Sequence, residues 1–508
     1  MTGYLYARAK FSYIDWTMSR RQQQPGPRLW TGISRQSRIP VYRQVYERLH
    51  AAITSGTLRP GERLPSVRSL ASQLATARGT IDVAYELLAS QGYIVCRGAA
   101  GTRVAPTLTL PLPQPGVPGA KRKSARVPGA PPKSPPRPTA AQTLAAPLPF
   151  QMGMPALDAF PRRVWSRLAT RLARELPGSA MMYPAPFGYA PLREAIAAYL
   201  AVARGIQCSA HSIVVTAGFQ GALGLITRVL LRSGDDVWVE DPGYPHARDA
   251  LIAAGAHLVG VPVDEHGMDV SAGVTRSPRA RLAVVTPSHQ APLGVALDLA
   301  RREALLSWAS EADAWIIEDD YDGEFRYDSL PLPALKSLDE GDRVLYAGTF
   351  SKVLFPGLRL GYIVLPESLI EKFTRTLQIL YTNDTTFASS VLTAFMTEGH
   401  FGRHIKRMRQ LYAERRAALA TALDEIFADR FRIKLQAGGM HLLAHLDPHL
   451  QRDVDLMQRA RSQGLGVAAL SPWSVDRDCG QGLLLSFTNI PAEHARREVQ
   501  RLDRALRR

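Results

Sequence analysis

A proline-rich stretch at residues 107–149 divides this 508-residue chain into two parts, each of which must build its own core. The stretch contains PLPQP, PGVPG and PPKSPP, with a short basic cluster among them. Such a composition buries too little apolar surface to offset the entropy lost on ordering, and repeated prolines favour extended backbone. We therefore predict a linker here. It separates a domain at residues 39–106 from a larger domain at residues 150–508, and residues 1–38 form an N-terminal extension to which we assign no function.

Positive charge is concentrated in the first part of the chain. Residues 1–150 contain 21 Lys and Arg against 5 Asp and Glu, whereas residues 151–508 contain 41 against 40. A basic segment of this kind indicates a polyanionic partner such as nucleic acid. The basic residues of the linker either contact that partner or keep the segment soluble.

The sequence favours a cytoplasmic protein. Its three cysteines are widely separated, which excludes a disulfide framework and a CxxC zinc site, so no metal is predicted. No apolar run approaches the roughly 20 residues that span a bilayer. Charged residues also interrupt the first 20 positions, where a signal peptide needs an apolar core. We expect no membrane partner.

Residues 39–106 carry the pattern of a winged helix–turn–helix. Ile39–Gly56 has apolar residues at helical spacing, a second helix opens at Pro65, and a third runs from about Thr80. Two short strands follow around a glycine-containing turn, Tyr93–Val95 and Thr102–Val104. In such a motif the last helix enters the major groove of DNA with its first residues toward the bases, while nearby basic groups hold phosphates.

This segment resembles the GntR-type winged helix. It matches the signature PG-x-RLPS-x-R-x-LA, R-x-T and AY-x-x-L-x-x-x-GY. The resemblance implies a double-stranded DNA operator as partner. The residues it implies as DNA contacts are Arg68, Arg78, Gly79, Thr80, Arg97 and Arg103. From the residues alone, Arg68 could instead be a solvated helix residue.

After residue 150, short apolar runs alternate with helical patterns. The predicted strands are Ser212–Thr216, Asp236–Glu240, Arg281–Thr286, Ala314–Glu318 and Arg343–Ala347. Alternation of this kind predicts an α/β domain with a mostly parallel sheet. Ligands bind such sheets beyond the carboxyl ends of the strands. The unusual polar clusters of the sequence fall at those ends.

The strongest chemical signal is TFSK, which directly follows the last of these strands. Lys352 can form a Schiff base with an aldehyde cofactor. The hydroxyls of Thr349 and Ser351, together with Arg359, suit a phosphate group.

Other strand ends supply complementary groups. In IIEDDY, Asp319 can keep a pyridine nitrogen protonated and Tyr321 can reach a ring hydroxyl. The small residues of TAGFQGALGL place a helix N-terminus at Gly218, where free amides can hold a phosphate. In DPGYP, Tyr244 offers a flat face for stacking.

Together these motifs resemble the fold type I aminotransferases over residues 150–508. The resemblance implies pyridoxal 5'-phosphate (PLP) as cofactor, held as an internal aldimine on Lys352. Asp319 then pairs with the pyridine nitrogen, Tyr321 with the ring hydroxyl, and Tyr244 stacks on the ring. The phosphate is served by Gly218, Gln220, Thr349, Ser351 and Arg359. Tyr183 resembles the tyrosine that crosses a dimer interface to the neighbouring phosphate.

The two halves together resemble the MocR subfamily of GntR regulators, including SHQ-x-P-x-G and IEDDYD-x-EF. This implies a homodimeric, PLP-dependent transcription regulator that senses an amino compound or vitamin B6 through Lys352.

One position departs from the aminotransferase pattern. Leu484, in GLLLSFTNI, stands where those enzymes carry an arginine that grips the substrate carboxylate. Leucine cannot form that bidentate contact. The departure favours a sensor without turnover, unless His246, Arg248 or His289 substitutes. An active aminotransferase with a fused DNA-binding domain remains the alternative.

Overall fold

The computed structural model describes residues 33–34, 37, 39–96, 101–106, 147–327, 333–380, 386–427, 430–446, 452–476 and 478–507. Nearly all of the predicted extension and linker lies outside these residues, as does Arg97. The chain divides into two compact units, residues 1–129 and 130–508. Within the described residues, no helix is both long and apolar enough to cross a membrane.

The first unit consists of three helices and a two-stranded wing. Its elements are α1 (Val41–Thr54), α2 (Val67–Gln73), α3 (Arg78–Ser90), β1 (Ile94–Cys96) and β2 (Thr102–Val104). The two strands pair antiparallel. Apolar residues at helical spacing, among them Leu49, Leu70 and Leu88, pack into one core. The predicted winged helix–turn–helix is therefore present.

Two helices begin at residues other than those predicted from the sequence. The second helix begins at Val67 rather than Pro65, because the Ser66 hydroxyl caps it by accepting the backbone N–H of Ser69. The third begins at Arg78 rather than Thr80, after an extended Ala77. The earlier start places the whole Arg78–Thr80 segment in the first turn of α3.

The second unit contains a large sheet, a smaller sheet and the helices that cover them. The helices are α4 (Arg162–Glu175), α5 (Ala190–Ala203), α6 (Gly218–Leu230), α7 (Pro245–Ala253), α8 (Val270–Arg276), α9 (Leu299–Glu311), α10 (Ile370–Leu380), α11 (Thr386–Thr397), α12 (His400–Phe427), α13 (Asp453–Ser462) and α14 (Ala495–Leu506). The strands are β3 (Ile213–Thr216), β4 (Asp236–Asp241), β5 (His257–Asp264), β6 (Gly267–Met268), β7 (Leu282–Val285), β8 (Trp315–Asp320), β9 (Val344–Thr349), β10 (Gly361–Val364), β11 (Phe431–Ile433), β12 (His441–Leu446), β13 (Ala468–Ala469) and β14 (Gly482–Ser486).

The large sheet has eight strands in the order β3-β10-β9-β8-β7-β4-β5-β6. The five strands from β9 to β5 run parallel, whereas β10 is antiparallel to both of its neighbours and β6 is antiparallel to β5. The smaller sheet, β11-β12-β14-β13, is antiparallel throughout. This confirms the predicted α/β fold with a mostly parallel sheet.

Both faces of the large sheet are buried. On β4, Val237 and Val239 belong to one apolar cluster, while Trp238 between them belongs to another. This alternation follows from the two-residue period of a strand. Because helices cover both faces, the carboxyl ends of the parallel strands are where polar side chains can gather.

Candidate cofactor and DNA-binding sites

The Lys352 amine lies just beyond the carboxyl end of β9 and packs closely against Gly153. Its Nζ donates to the carbonyl oxygen of Gly153 at 3.1 Å. Gly153 has a φ of +72°, and a Cβ added there would lie 2.5 Å from Nζ, so only glycine leaves room for the amine. Burial lowers the pKa of Lys352, although Asp319 and Asp322 oppose that shift. A lowered pKa favours the neutral amine, which is the nucleophilic form.

Asp319 lies on β8 with an unmet hydrogen-bonding requirement. Its side chain is buried, and Oδ1 has no hydrogen-bond partner among the described residues. Burial, then Asp320 and Glu240, raise the pKa of Asp319 well above its ordinary value. A buried carboxyl oxygen without a partner is costly. A protonated pyridine nitrogen would supply both the missing donor and a positive charge.

Tyr321 is held by a histidine. Its hydroxyl lies 2.9 Å from Nδ1 of His289, and the same nitrogen lies 3.1 Å from Oδ2 of Asp322. Burial, then Asp322 and Asp319, raise the pKa of Tyr321 well above its usual value. Tyr321 therefore keeps its proton at neutral pH and can donate it to an oxygen. Sequence reasoning missed the Asp322–His289 pair, although SHQ and DDYD were both noted as motifs.

Tyr244 precedes α7 and lies near the same acid. Burial, followed by Asp319, raises the pKa of Tyr244 to about 12. Its ring centroid is 6.1 Å from that of Trp473 and 6.4 Å from that of Phe219. Gln220, which follows Phe219 on α6, lies beside Tyr244, and its side-chain amide opposes this rise of the pKa.

Gly218, Ser351 and Arg359 enclose a small space at the N-terminus of α6. Gly218 has a φ of +72°, and a Cβ built on it would lie 3.8 Å from Arg359 Nη1 and 3.9 Å from Ser351 Oγ. Arg359 Nη2 also donates to the Ala217 carbonyl oxygen at 3.1 Å. A cation, a hydroxyl and a helix N-terminus at one point favour an anion such as phosphate. The Thr349 hydroxyl instead accepts the Ser351 N–H at 3.2 Å, which supports the turn.

Tyr183 lies outside this buried cluster. Its side chain is 87% exposed, on a segment that also exposes Met181 and Met182. The role that the sequence predicts for it requires a second subunit, and it stays a prediction.

Leu484 is fully buried in an apolar cluster with Leu443 and Leu470. Met152, Leu293, Ala468, Trp473 and Cys479 are partly buried and pack against these three leucines. We call this set of eight residues the apolar wall.

The three residues considered as substitutes for a carboxylate anchor have other partners. His246 is exposed, 3.8 Å from Asp249. Arg248 donates to the carbonyl oxygens of Ser474 at 2.5 Å and Pro472 at 2.7 Å. His289 has the Tyr321 and Asp322 contacts already described.

The arrangement fits PLP on three independent features. An amine lies within the site at Lys352, Oδ1 of Asp319 has no hydrogen-bond partner in the part of the chain that the structure describes, and Ser351 and Arg359 surround Gly218 as an anion cradle. These features match the aldehyde, the ring nitrogen and the phosphate of the cofactor.

In the first unit, the residues predicted to contact DNA lie on its surface. Arg68, Arg78 and Gly79 are exposed, and Thr80 is partly buried. Arg103, also exposed, donates through Nη1 to the Gly61 carbonyl oxygen at 2.9 Å, which ties the wing to the turn before α2.

Comparison with known families matches both units. Residues 157–487 match the aminotransferase class I and II family, and residues 41–104 match the gntR family of bacterial regulatory proteins. Among solved structures, the α-aminoadipate aminotransferase LysN of Thermus thermophilus is 30% identical with a TM-score of 0.65, covering 71% of this chain and 92% of that one. The kynurenine aminotransferase of Pyrococcus horikoshii is 29% identical with a TM-score of 0.65, covering 72% and 92%. The second unit is thus a PLP-binding domain of the aminotransferase class, joined to a GntR-type DNA-binding domain.

Curated relatives share the whole arrangement. The probable rhizopine catabolism regulatory protein MocR of Rhizobium meliloti is 36% identical, covering 93% of this chain and 95% of the relative. The pyridoxine biosynthesis regulator PdxR of Corynebacterium glutamicum is 32% identical, covering 87% and 91%. The chain belongs to the MocR-type GntR regulators and is a PLP-dependent transcription regulator.

Proposed function

We propose that the aminotransferase-like unit is a sensor, in which an amino compound or PLP itself binds at Lys352 and changes the affinity of a homodimer for its operator. The observation that carries this proposal is a nearly complete cofactor site with leucine at position 484. Such a site can hold PLP and accept an amine, but it lacks the arginine that positions an amino acid for turnover. We place the protein in the cytoplasm, with the DNA it reads.

PLP supplies an aldehyde that bonds reversibly to amines. The residues of the chain set the geometry of that bond. Asp319 would hold a proton on the ring nitrogen, and Tyr321 would donate its hydroxyl hydrogen to the ring oxygen. Tyr244 would stack on the ring, while Ser351 and Arg359 would hold the phosphate end at Gly218.

The first unit would bind the operator DNA. Arg78, Gly79 and Thr80 would face the base edges, while basic residues of α2 and the wing hold phosphates. These basic residues are Arg68 and Arg103, together with Arg97, which lies outside the described residues and is proposed from the sequence pattern alone. In the homodimer, Tyr183 of each subunit would reach the phosphate of the other. The ligand shifts the dimer between two arrangements only by the difference in its affinity for them.

The test uses full-length protein loaded with PLP. Genomic fragments retained by the protein are sequenced, and binding to the recovered segment is measured at several salt concentrations with and without PLP and with the amino compounds that the neighbouring genes suggest. We expect affinity that falls with salt and changes with the ligand. Lys352→Ala should remove the visible absorbance of bound PLP and the ligand response. The matched control Lys372→Ala, on an exposed turn of α10, should keep both.

Affinity for DNA that is the same with and without PLP, and unchanged in Lys352→Ala, would overturn the proposal.

The alternative function is a working aminotransferase with a fused DNA-binding unit. It is favoured by the intact Lys352 and Asp319 positions and by about 30% identity to solved aminotransferases. Multiple turnovers of an amino donor with a keto acid would establish it. A single half-reaction that stops after one equivalent would instead agree with a sensor.

A further inference from the structure

The apolar wall lies beside the amine of Lys352. Nζ of Lys352 contacts the carbonyl oxygen of Gly153, and the preceding residue, Met152, packs against the buried leucines of the wall. Met152 of the wall is therefore the immediate chain neighbour of Gly153, whose carbonyl oxygen accepts the hydrogen bond of the Lys352 amine.

Two further contacts place the wall around the same space. The Trp473 ring lies 6.1 Å, centroid to centroid, from Tyr244, whose pKa responds to Asp319. Leu293 donates its N–H to Gln290 Oε1 at 3.0 Å and precedes Gly294, where an added Cβ would lie 3.0 Å from His289 Nε2. The wall thus contacts Tyr244 through Trp473, and its members Met152 and Leu293 directly precede Gly153 and Gly294 in the chain. The part of a bound amine beyond its nitrogen would lie on this side of the site.

The charges of the site disfavour a carboxylate in that space. Asp322 is buried, acts on Lys352 electrostatically and lies 3.1 Å from His289 Nδ1, so a further anion would meet an acid and a histidine that already has a partner. Leu484 offers no donor, and the terminal nitrogens of Arg248 already donate to two backbone carbonyl oxygens. A carboxylate placed against buried leucines would lose its hydration without gaining a partner.

We propose that the effector is a primary amine with an apolar remainder and no carboxylate, which the apolar wall recognises. This inference rests on the proposed sensor function. The effector nitrogen forms the C=N bond to the aldehyde carbon of PLP while the bond from that carbon to Lys352 Nζ breaks. The two protons that leave the effector nitrogen are recovered by Lys352, so no oxidant or reductant is needed.

The test compares matched pairs that differ by one carboxylate. PLP-loaded full-length protein is titrated with 2-phenylethylamine against L-phenylalanine, and with 3-methylbutylamine against L-leucine. The readouts are the visible spectrum and calorimetry. We expect each amine to bind at least about tenfold more tightly than its amino acid, equivalent to about 1.4 kcal/mol. Equal or tighter binding of the amino acids would overturn the inference.

Two arginine variants test whether the apolar wall causes the preference for amines over amino acids. Leu484→Arg should reverse the preference toward the amino acids. If that variant does not fold, Leu293→Arg at the partly buried edge of the wall should narrow the preference to within about threefold, about 0.7 kcal/mol. Leu485→Met is the control, since Leu485 follows Leu484 on β14 but packs into a different apolar cluster from the wall. This variant should keep the wild-type preference for the amines.

An unchanged preference for the amines in the arginine variant would contradict the role of the wall. Failure of the wild-type protein to bind PLP at all would contradict the proposed function itself, which keeps the two failures distinguishable.

Discussion

Replacing Gly218 with alanine tests whether the cradle at the start of α6 holds the phosphate. The added methyl would lie 3.8 Å from Arg359 Nη1 and 3.9 Å from Ser351 Oγ, nearly equidistant from the two groups. A phosphate oxygen that contacts both groups needs the same space. Gly218→Ala should therefore remove those contacts without disturbing either side chain.

The magnitude follows from the two lost contacts and the backbone strain. Hydrogen bonds to a charged group contribute about 1.5–3 kcal/mol each, so two of them contribute about 3–6 kcal/mol. Since about 1.4 kcal/mol is tenfold in affinity, the Kd for PLP should rise at least about 100-fold. At a φ of +72° alanine should also lower the free energy of unfolding of the PLP-free protein by about 1–2 kcal/mol.

Gly224→Ala is the matched control on the same helix. Gly224 is exposed, and an added Cβ would meet nothing within 4 Å. Alanine there should leave PLP affinity unchanged and increase the free energy of unfolding by up to about 1 kcal/mol. The assays are titration of PLP-free protein with PLP, followed by absorbance, and urea unfolding. If Gly218→Ala binds PLP within about threefold of the wild type, roughly 0.7 kcal/mol, the phosphate does not occupy this cradle.

Three other changes test separate features. Asp319→Asn should raise the Kd for PLP about 10- to 150-fold in the same titration, because a charge-assisted hydrogen bond of about 1.5–3 kcal/mol is lost. An increase in Kd of less than about threefold would contradict the pairing of Asp319 with the ring nitrogen. Arg68→Ala, which removes a proposed phosphate contact, should weaken DNA binding and reduce the salt dependence by about one unit of slope in mobility-shift titrations. Arg43→Ala, whose guanidinium pairs with Glu47 on α1, should leave the slope unchanged. Burial, followed by His289, lowers the pKa of His441 to about 4. Between about pH 4 and 6.5 the folded protein therefore binds fewer protons than the unfolded chain. The free energy of unfolding should fall by up to about 3 kcal/mol as the pH falls through that window. His441→Gln should flatten this loss in urea unfolding measured across the window, and an unchanged pH dependence would refute the assignment.

Local sequence determined much of the fold and many of the candidate groups. The strands preceding Asp319 and Lys352 were predicted from their apolar runs, and the structure has them as β8 and β9 within a mostly parallel sheet. Strand patterns also indicate which polar residues lie at carboxyl ends, because the sheet is parallel there. Helix starts were less well determined, since Ser66 caps α2 through a contact that the apolar period does not encode.

Tertiary structure alone decided how the groups meet. Lys352 and Gly153 are 199 residues apart in the sequence, and only packing brings the amine to that carbonyl oxygen. His289 was considered as a carboxylate anchor, yet its contact joins it to Tyr321, 32 residues away. The sequence by itself determined which chemistry the second unit carries, because short motifs at strand ends specify residue types. The tertiary structure decided that Leu484 lies in the apolar wall with Leu443 and Leu470, because contacts between distant segments depend on how the two sheets and their helices pack.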